Sequence, residues 1–182
     1  MKKANFLFVV FVCIFSGYNL STYSQVNFPL HSQFKYLKGS QASNLDNEWM
    51  SEDFDDSFWA EGNAPFRYAD GEGGTVLNDM QYNYSTLYLR STFNVSQVNS
   101  LKKIYFNVDY DDGFVIWVNN QEVCRRNAPD VLSNNAFAPD FRESGIPILI
   151  VIDINDILIH EGINTVAIQG FNCNLESSDF YL

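Results

Sequence analysis

Positive charge is what this chain has least of. Eleven lysines and arginines stand against 22 aspartates and glutamates, for a formal net charge of −11 over 182 residues. Nucleic-acid phosphates require clustered cations, so that balance excludes a nucleic-acid binder and argues equally against anionic membrane surfaces. Histidine is nearly missing too: there are two, His31 and His160. No Gly-x-Ser-x-Gly elbow, His-Glu-x-x-His helix, Walker loop or Cys-x-x-Cys pair occurs, so the common hydrolase, zinc and nucleotide chemistries have no carrier. Carboxylate pairs for glycoside hydrolysis are a matter of spatial separation and escape this test, but a domain of this size without a cleft-building insertion makes a small glycosidase or esterase the reading the sequence supports least. Helical periodicity is almost absent.

Long apolar runs are lacking apart from residues 6–15, which follow Lys2 and Lys3. A bilayer of about 30 Å needs about 20 apolar residues, so this run is too short to span it. With Thr22 and Ser24 at the −3 and −1 positions, residues 1–24 read as a signal peptide and the product as starting at Gln25. Cys13 lacks the small residues that a lipoprotein signal places before it. The product is therefore expected to be secreted, periplasmic or at the cell surface, with no membrane span in the mature chain. Residues 25–33 form a lead-in, and 34–182 suit one domain with one core.

Cysteine is sparse. Cys124 and Cys173 remain after cleavage, and export to an oxidising compartment makes them a candidate disulfide. The alternative is two small buried side chains.

What is present is alternation. Leu87, Leu89, Phe93 and Val95 share one face of a segment, as do Ile104, Phe106, Val108 and Tyr110 of another. Ile148, Ile150, Ile152 and Ile154 alternate with Leu149, Val151 and Asp153, which predicts a strand covered on both sides at its start. Val166 and Ile168 alternate with Thr165, Ala167 and Gln169. These runs are rich in the β-branched and aromatic residues that pleated surfaces favour. Asn119-Asn120 separates two such runs, and asparagine tolerates the positive φ of a tight hairpin. Residues 70–74 and 127–145 read as loops, and a single helical turn is expected at 155–159. The fold class is all-β, a jelly-roll sandwich.

The order of several short motifs carries a resemblance. Tyr36-Leu37-Lys38-Gly39 is followed by Asp53-Phe54-Asp55-Asp56-Ser57-Phe58-Trp59, then by Gly62-Asn63-Ala64-Pro65-Phe66-Arg67-Tyr68. Thr86-Leu87-Tyr88-Leu89-Arg90, the 111–120 segment and Arg126-Asn127-Ala128-Pro129 come next. Asp153-Ile154-Asn155-Asp156-Ile157-Leu158 and Gly162-Ile163-Asn164-Thr165-Val166-Ala167-Ile168 close the series. Together they resemble the galactose-binding-like jelly-roll modules of bacterial secreted proteins, of the β-galactosidase sugar-binding-domain type, over nearly all of 34–182. The resemblance implies a sandwich of about eight or nine strands. It also implies a non-catalytic accessory to a neighbouring catalytic, spore-coat-kinase-like or adhesion domain. Two positions depart from the pattern: Asn120 replaces a glycine after the hairpin asparagine, and Phe171 replaces a histidine near the end of the penultimate strand. The last strand would finish only at Leu182, which leaves open that the chain is a piece of a longer protein.

Candidate binding residues follow. Tyr82 and Tyr84, in a polar stretch with Asp79, and Tyr68 beyond it could stack on the apolar face of a sugar while the carboxylate takes its hydroxyls. Trp59 and Trp117 sit among strand and motif residues and read as core. Asp53, Asp55 and Asp56, with Glu48 and Glu52 nearby, are candidate ligands for a structural Ca2+; the alternative is an acidic turn whose aromatics plug the core. Asp111-Asp112-Gly113 has the wrong spacing for an EF-hand, so Gly113 is expected to make a bend while an aspartate bonds the local backbone. A partly buried Arg126 held by Asp109 or Asp112 would tie the hairpin to its sheet. No other cofactor is expected. Partners are a glycan, for a carbohydrate-binding or substrate-targeting module, or a neighbouring domain, for a structural spacer or interaction domain of a larger surface protein.

Overall fold

The computed structural model describes residues 32–182. The expected signal peptide, residues 1–24, and all of the expected lead-in except Ser32 and Gln33 lie outside the described residues. Eleven strands make up the described chain: β1 Gln33–Lys38, β2 Ala60–Asn63, β3 Phe66–Tyr68, β4 Thr75–Val76, β5 Thr86–Val95, β6 Lys103–Val108, β7 Gly113–Val118, β8 Gln121–Arg126, β9 Ile148–Asp153, β10 Gly162–Phe171 and β11 Phe180–Tyr181. Among the described residues no helix exceeds one 3-10 turn of four residues, so none is long and apolar enough to cross a membrane. The fold is all-β, as the alternation predicts.

One antiparallel sheet of six strands, ordered β2-β1-β5-β10-β7-β8, forms the centre. The second layer consists of the pair β6-β9 and the small sheet β11-β3-β4, with an isolated bridge between Asp111 and Tyr181. Alternation then assigns the faces. Leu87 and Leu89 of β5, Phe114 and Ile116 of β7 and Val166 of β10 point at Phe66, Val108, Ile150 and Phe180 of the second layer, closing the main core. The residues between them, Tyr88, Val115, Trp117 and Ala167, point the other way into a second apolar cluster with Trp49, Trp59 and Ala138. Irregular chain around 39–59 and 128–138 covers that face. The central sheet is therefore sandwiched on both sides.

This placement corrects one expectation. In β9, Ile148, Ile150 and Ile152 pack on the core, but Leu149 is 64% exposed. Single-sided coverage suffices there, because the outer face of β6-β9 meets solvent. The strand covered on both faces is β7, buried at every position.

Local chemistry explains the β7-β8 hairpin. Asn119 and Asn120 adopt φ 47° and 67°, the doubly left-handed turn that matches strand twist. The Asn119 side chain donates to Asn164 Oδ1 at 2.7 Å and to the Leu158 carbonyl at 2.8 Å, and accepts from the Thr165 amide. At the start of β7 the reason for Gly113 is close approach. A Cβ there would lie 2.1 Å from the Asn127 carbonyl oxygen. Asp112, buried beside it, accepts from the backbone amides of Arg142 and Cys173, both at 2.7 Å. The aspartate thus bonds backbone, as expected, though the amides come from distant loops.

The guanidinium expected from Arg126 is supplied by Arg142 instead. Arg126 is exposed and donates to the carbonyl of Arg125. Arg142 donates to the carbonyls of Tyr110 and Ile146 and stacks 3.8 Å over the Tyr110 ring. The helical turn expected at 155–159 is a 3-10 turn at Ile154–Asp156, capped by the Asp153 side chain.

The candidate disulfide does not form: both cysteines are free. Cys124 faces the main core, whereas Cys173 packs on the second cluster, across the central sheet. Opposite faces of one sheet cannot be bridged by a bond that needs Cα atoms within about 7 Å.

Candidate functional site

The second cluster builds a concavity. A cavity of about 220 Å3 lies between the 3-10 turns of one segment and the 132–134 stretch of another. Its floor is Tyr88 of β5, Trp117 of β7 and Gln169 of β10. Neighbouring strands put these on one face because β10 pairs with both β5 and β7. Asp46, Asn47, Trp49 and Met50 form one wall, and Leu132, Ser133 and Asn134 the other.

Each wall is fixed by identifiable bonds. The 3-10 turn Asn47–Met50 starts at Asp46, whose carboxylate accepts from the Glu48 amide at 3.0 Å, an N-cap. Trp49 packs its ring between Trp59 (stacked, 6.1 Å between centroids), Tyr88 and Trp117, the last two edge-on at 5.0 and 5.4 Å. Beneath it, Arg90 of β5 donates to the carbonyls of Trp49 and Ser51 and to Asp56 Oδ2 at 2.8 Å. Across the cavity, Gln169 Nε2 donates to the Tyr88 hydroxyl and to the Ser133 carbonyl, both at 3.0 Å. Asn134 donates to the Gly39 carbonyl at 3.1 Å and accepts from the Thr86 hydroxyl at 2.7 Å. Burial pushes the Tyr88 hydroxyl up to about 12, so it stays neutral and able to donate.

The three aromatic rings are buried almost completely, so they shape the cavity more than they offer a stacking plane. Polar groups at the rim supply donors and acceptors: the Asp46 carboxylate, the amides of Asn47 and Asn134, and the hydroxyl of Ser43. Such an arrangement can hold a small polyhydroxylated molecule by hydrogen bonds at its edge, in a concavity whose shape the buried rings set.

The tyrosines expected as a platform are not gathered. Tyr68 and Tyr84 are 5% and 3% exposed, with their rings in the main core. The Tyr84 hydroxyl donates to Asp79, and burial next to that carboxylate pushes its pKa up. Asp79 is also paired with Lys38 at 2.7 Å. Tyr82 alone stands out, 70% exposed. A ring sunk in the core has no free face for a sugar, which removes Tyr68 and Tyr84 from that role.

The acidic turn is likewise divided. Asp55 accepts from the Ser57 amide at 3.0 Å, and hydrogen bonds to Ser57 hold its pKa down. Asp56 is committed to Arg90, and Asp53 is exposed. Carboxylates that converge are found elsewhere. Among the described residues, ligand atoms of Asp70, Asp111, Glu143 and Asp179 lie within 4.8 Å of one another, the group whose spacing suits a hard cation. Asp111 is only 2% exposed. Burial, and then the charges of Asp112, Asp179 and Glu143, raise its pKa to about 8. A proton on Asp111 relieves the same repulsion that a cation would.

Residues of the cavity that went unmarked in the sequence are Asp46, Trp49, Asn134 and Gln169. The available signal was Trp49, an isolated tryptophan in the acidic stretch Asp46-Asn47-Glu48-Trp49-Met50.

Comparisons with known proteins bear on the fold. No family model matches the chain, and no curated protein matches it. Solved structures do. A β-glucuronidase from Ruminococcus gnavus superimposes with a TM-score of 0.51 at 14% identity over 87% of this chain and 23% of that one. An uncultured Clostridium sp. β-glucuronidase gives 0.52, also at 14% identity, over 89% and 24%. The chain thus spans about a quarter of the length of these enzymes. At that identity the likeness shows a shared β-rich fold.

Proposed function

We propose that this chain is an exported, non-catalytic carbohydrate-binding module of jelly-roll type that targets or positions a larger protein on glycan. The observation carrying it is the cavity over Tyr88, Trp117 and Gln169, with a rim of amide, hydroxyl and carboxylate groups. Its volume, about 220 Å3, is below the roughly 300–1,000 Å3 of drug-sized pockets, so it takes one sugar residue of a chain. Two further points support a non-catalytic role. Glycoside hydrolysis requires a pair of carboxyl groups flanking the bond, and one carboxylate, Asp46, lines this cavity. Asp111 has the raised pKa of a general acid but is too deeply buried to meet a glycosidic oxygen. The solved relatives in fold are glycosidases in which a piece of this size is about a quarter of the chain.

A polysaccharide array probed with residues 25–182, followed by tryptophan-fluorescence titration, tests the proposal. Asn47→Ala and Asp46→Asn, the latter preserving the N-cap, should weaken binding, whereas Tyr82→Ala should leave it intact. Binding to no polysaccharide would sink the proposal, as would binding that is lost with Tyr82→Ala but kept by the two rim variants.

One observation favours a second reading, a module that docks on a neighbouring domain. The outer face of β6-β9 exposes Leu149 and Val151, a solvent-facing apolar stripe. Leu149→Lys should abolish a domain–domain contact while leaving glycan binding unchanged.

A further inference from the structure

We infer that the cavity selects an uncharged sugar residue and excludes uronic acids and other anionic sugars; the inference rests on the carbohydrate-binding reading above and specifies its ligand class. The fold relatives are named for activity on glucuronides, so the expectation by likeness would be a uronate. The side chains present argue otherwise. Among the described residues lining the cavity there is no lysine, arginine or histidine. A carboxylate taken out of water needs a cationic or multiply donating partner, most effectively the fork of an arginine. The nearest buried guanidinium, Arg90, is already consumed by Asp56 and by the carbonyls of Trp49 and Ser51.

The field at the mouth has the same sign. Asp46 is the one ionisable carboxylate in the lining, and it leads a segment that also holds Glu48, Glu52, Asp53, Asp55 and Asp56. Of these, Asp56 is neutralised by Arg90 and Glu52 meets His160 at 2.8 Å. Glu48, Asp53 and Asp55 are exposed to solvent. A carboxylate accepts well from sugar hydroxyls, in charge-assisted bonds stronger than neutral ones. It repels a second carboxylate at the same place. Asn47, Asn134 and Ser43 offer dipoles that suit hydroxyl and acetamido groups. The site therefore combines what an uncharged pyranose requires and lacks what a uronate requires.

The test uses matched polymers. Acidic plant and microbial polysaccharides are run in affinity gels before and after chemical reduction of their carboxyl groups to alcohols, so that chain length and linkage stay the same. At least one reduced polymer should retard the protein about tenfold more strongly than its acidic parent, the minimum expected for one unpaired carboxylate at about 1.4 kcal/mol. Bulk repulsion is separated from the local effect by two single charge reversals. Asp46→Lys, in the cavity, should shift preference toward the acidic parent, whereas Glu176→Lys, on an exposed turn elsewhere, should not. Equal or tighter retention by acidic parents would overturn the inference while leaving the carbohydrate reading standing. So would equal effects of the two reversals. Retention by no polymer in either form would instead overturn the carbohydrate reading, and this inference with it.

Discussion

Replacing Arg90 with methionine should cost about 3 kcal/mol of folding stability, the lower end of what is measured when one partner of a buried ion pair is removed. Arg90 projects from the middle of the central sheet, 3% exposed, toward the same side as Tyr88. Its guanidinium is the link between that sheet and the chain that covers it. Nε donates to Asp56, the other donors reach the carbonyls of Trp49 and Ser51, and the Phe54 ring lies 5.2 Å away. Methionine fills similar volume, so a cavity term is small. What remains is an orphaned carboxylate and two carbonyls without donors. Asp56 is 28% exposed, so water can recover part of its solvation, which is why the lower end applies.

The reverse change, Asp56→Asn, should cost less, about 1–2 kcal/mol, since the amide oxygen still accepts and both carbonyls still hold the guanidinium. A double-mutant cycle built from the two should return a coupling of about 1–2 kcal/mol. Urea unfolding followed by tryptophan fluorescence measures all three variants, with the slope expected to stay constant if only stability changes. Arg90→Met losing less than about 1 kcal/mol would show that residues 49–56 are held by aromatic packing alone. The same variant should also weaken sugar binding beyond its effect on stability, because Trp49 forms a cavity wall.

Three other outcomes can be checked. Asp111 titrates near 8 in the fold against an ordinary value of 3.8, so its contribution is fully present below about pH 4 and is lost as pH rises through 8; Asp111→Asn should therefore melt higher than the parent at pH 8 but not at pH 4, and parallel melting curves across that range would refute the assignment. Gly113→Ala should destabilise by about 2–3 kcal/mol through overlap with the Asn127 carbonyl, and Gly162→Ala, where φ is +97° with open space around it, by about 1–2 kcal/mol from backbone strain alone. Denatured but unreduced protein spanning residues 25–182 should take up two equivalents of alkylating reagent, one each at Cys124 and Cys173, and mass spectrometry finding neither modified would contradict their placement on opposite faces.

What could be read from sequence was what local chemistry decides. The Phe114–Val118 run and the Asn119-Asn120 turn are specified by neighbours a few residues away, and both have the expected form. Tyr68 and Tyr84 were not legible, because a tyrosine in a polar stretch looks the same whether its ring turns inward or outward. Here the hydroxyl of Tyr84 reaches back to Asp79 while the ring enters the core. The cysteines could be assigned to faces only once Cys124 was known to pair opposite Ile116, and Cys173 to follow Phe171 out of β10. Least visible were groupings drawn from several segments. Asp70, Asp111, Glu143 and Asp179 converge only after the second layer folds, as do Asp46, Asn134 and Gln169 around the cavity.

On the proposed carbohydrate-binding reading, that last grouping bears on how ligand choice would change. The cavity floor belongs to three adjacent strands whose opposite face closes the main core, so Tyr88, Trp117 and Gln169 cannot move without disturbing the register of β5, β7 and β10. The rim belongs to residues 43–47 and 132–134; Gln169 donates to the Ser133 carbonyl and Thr86 of β5 to the Asn134 carbonyl, while Arg90 anchors the chain just beyond residue 47 through the carbonyls of Trp49 and Ser51. On the proposed reading, substitutions at Ser43, Asn47 and Ser133 should therefore change which sugar is taken while leaving stability nearly unaffected, as surface changes usually do within about 0.5 kcal/mol, whereas Asp46 tolerates only a change such as Asp46→Asn that keeps its N-cap. Substitutions in the floor should do the reverse. A rigid floor under a replaceable polar rim gives a preorganised site, and it locates the determinant of ligand choice in the irregular chain that covers the second face of the sheet.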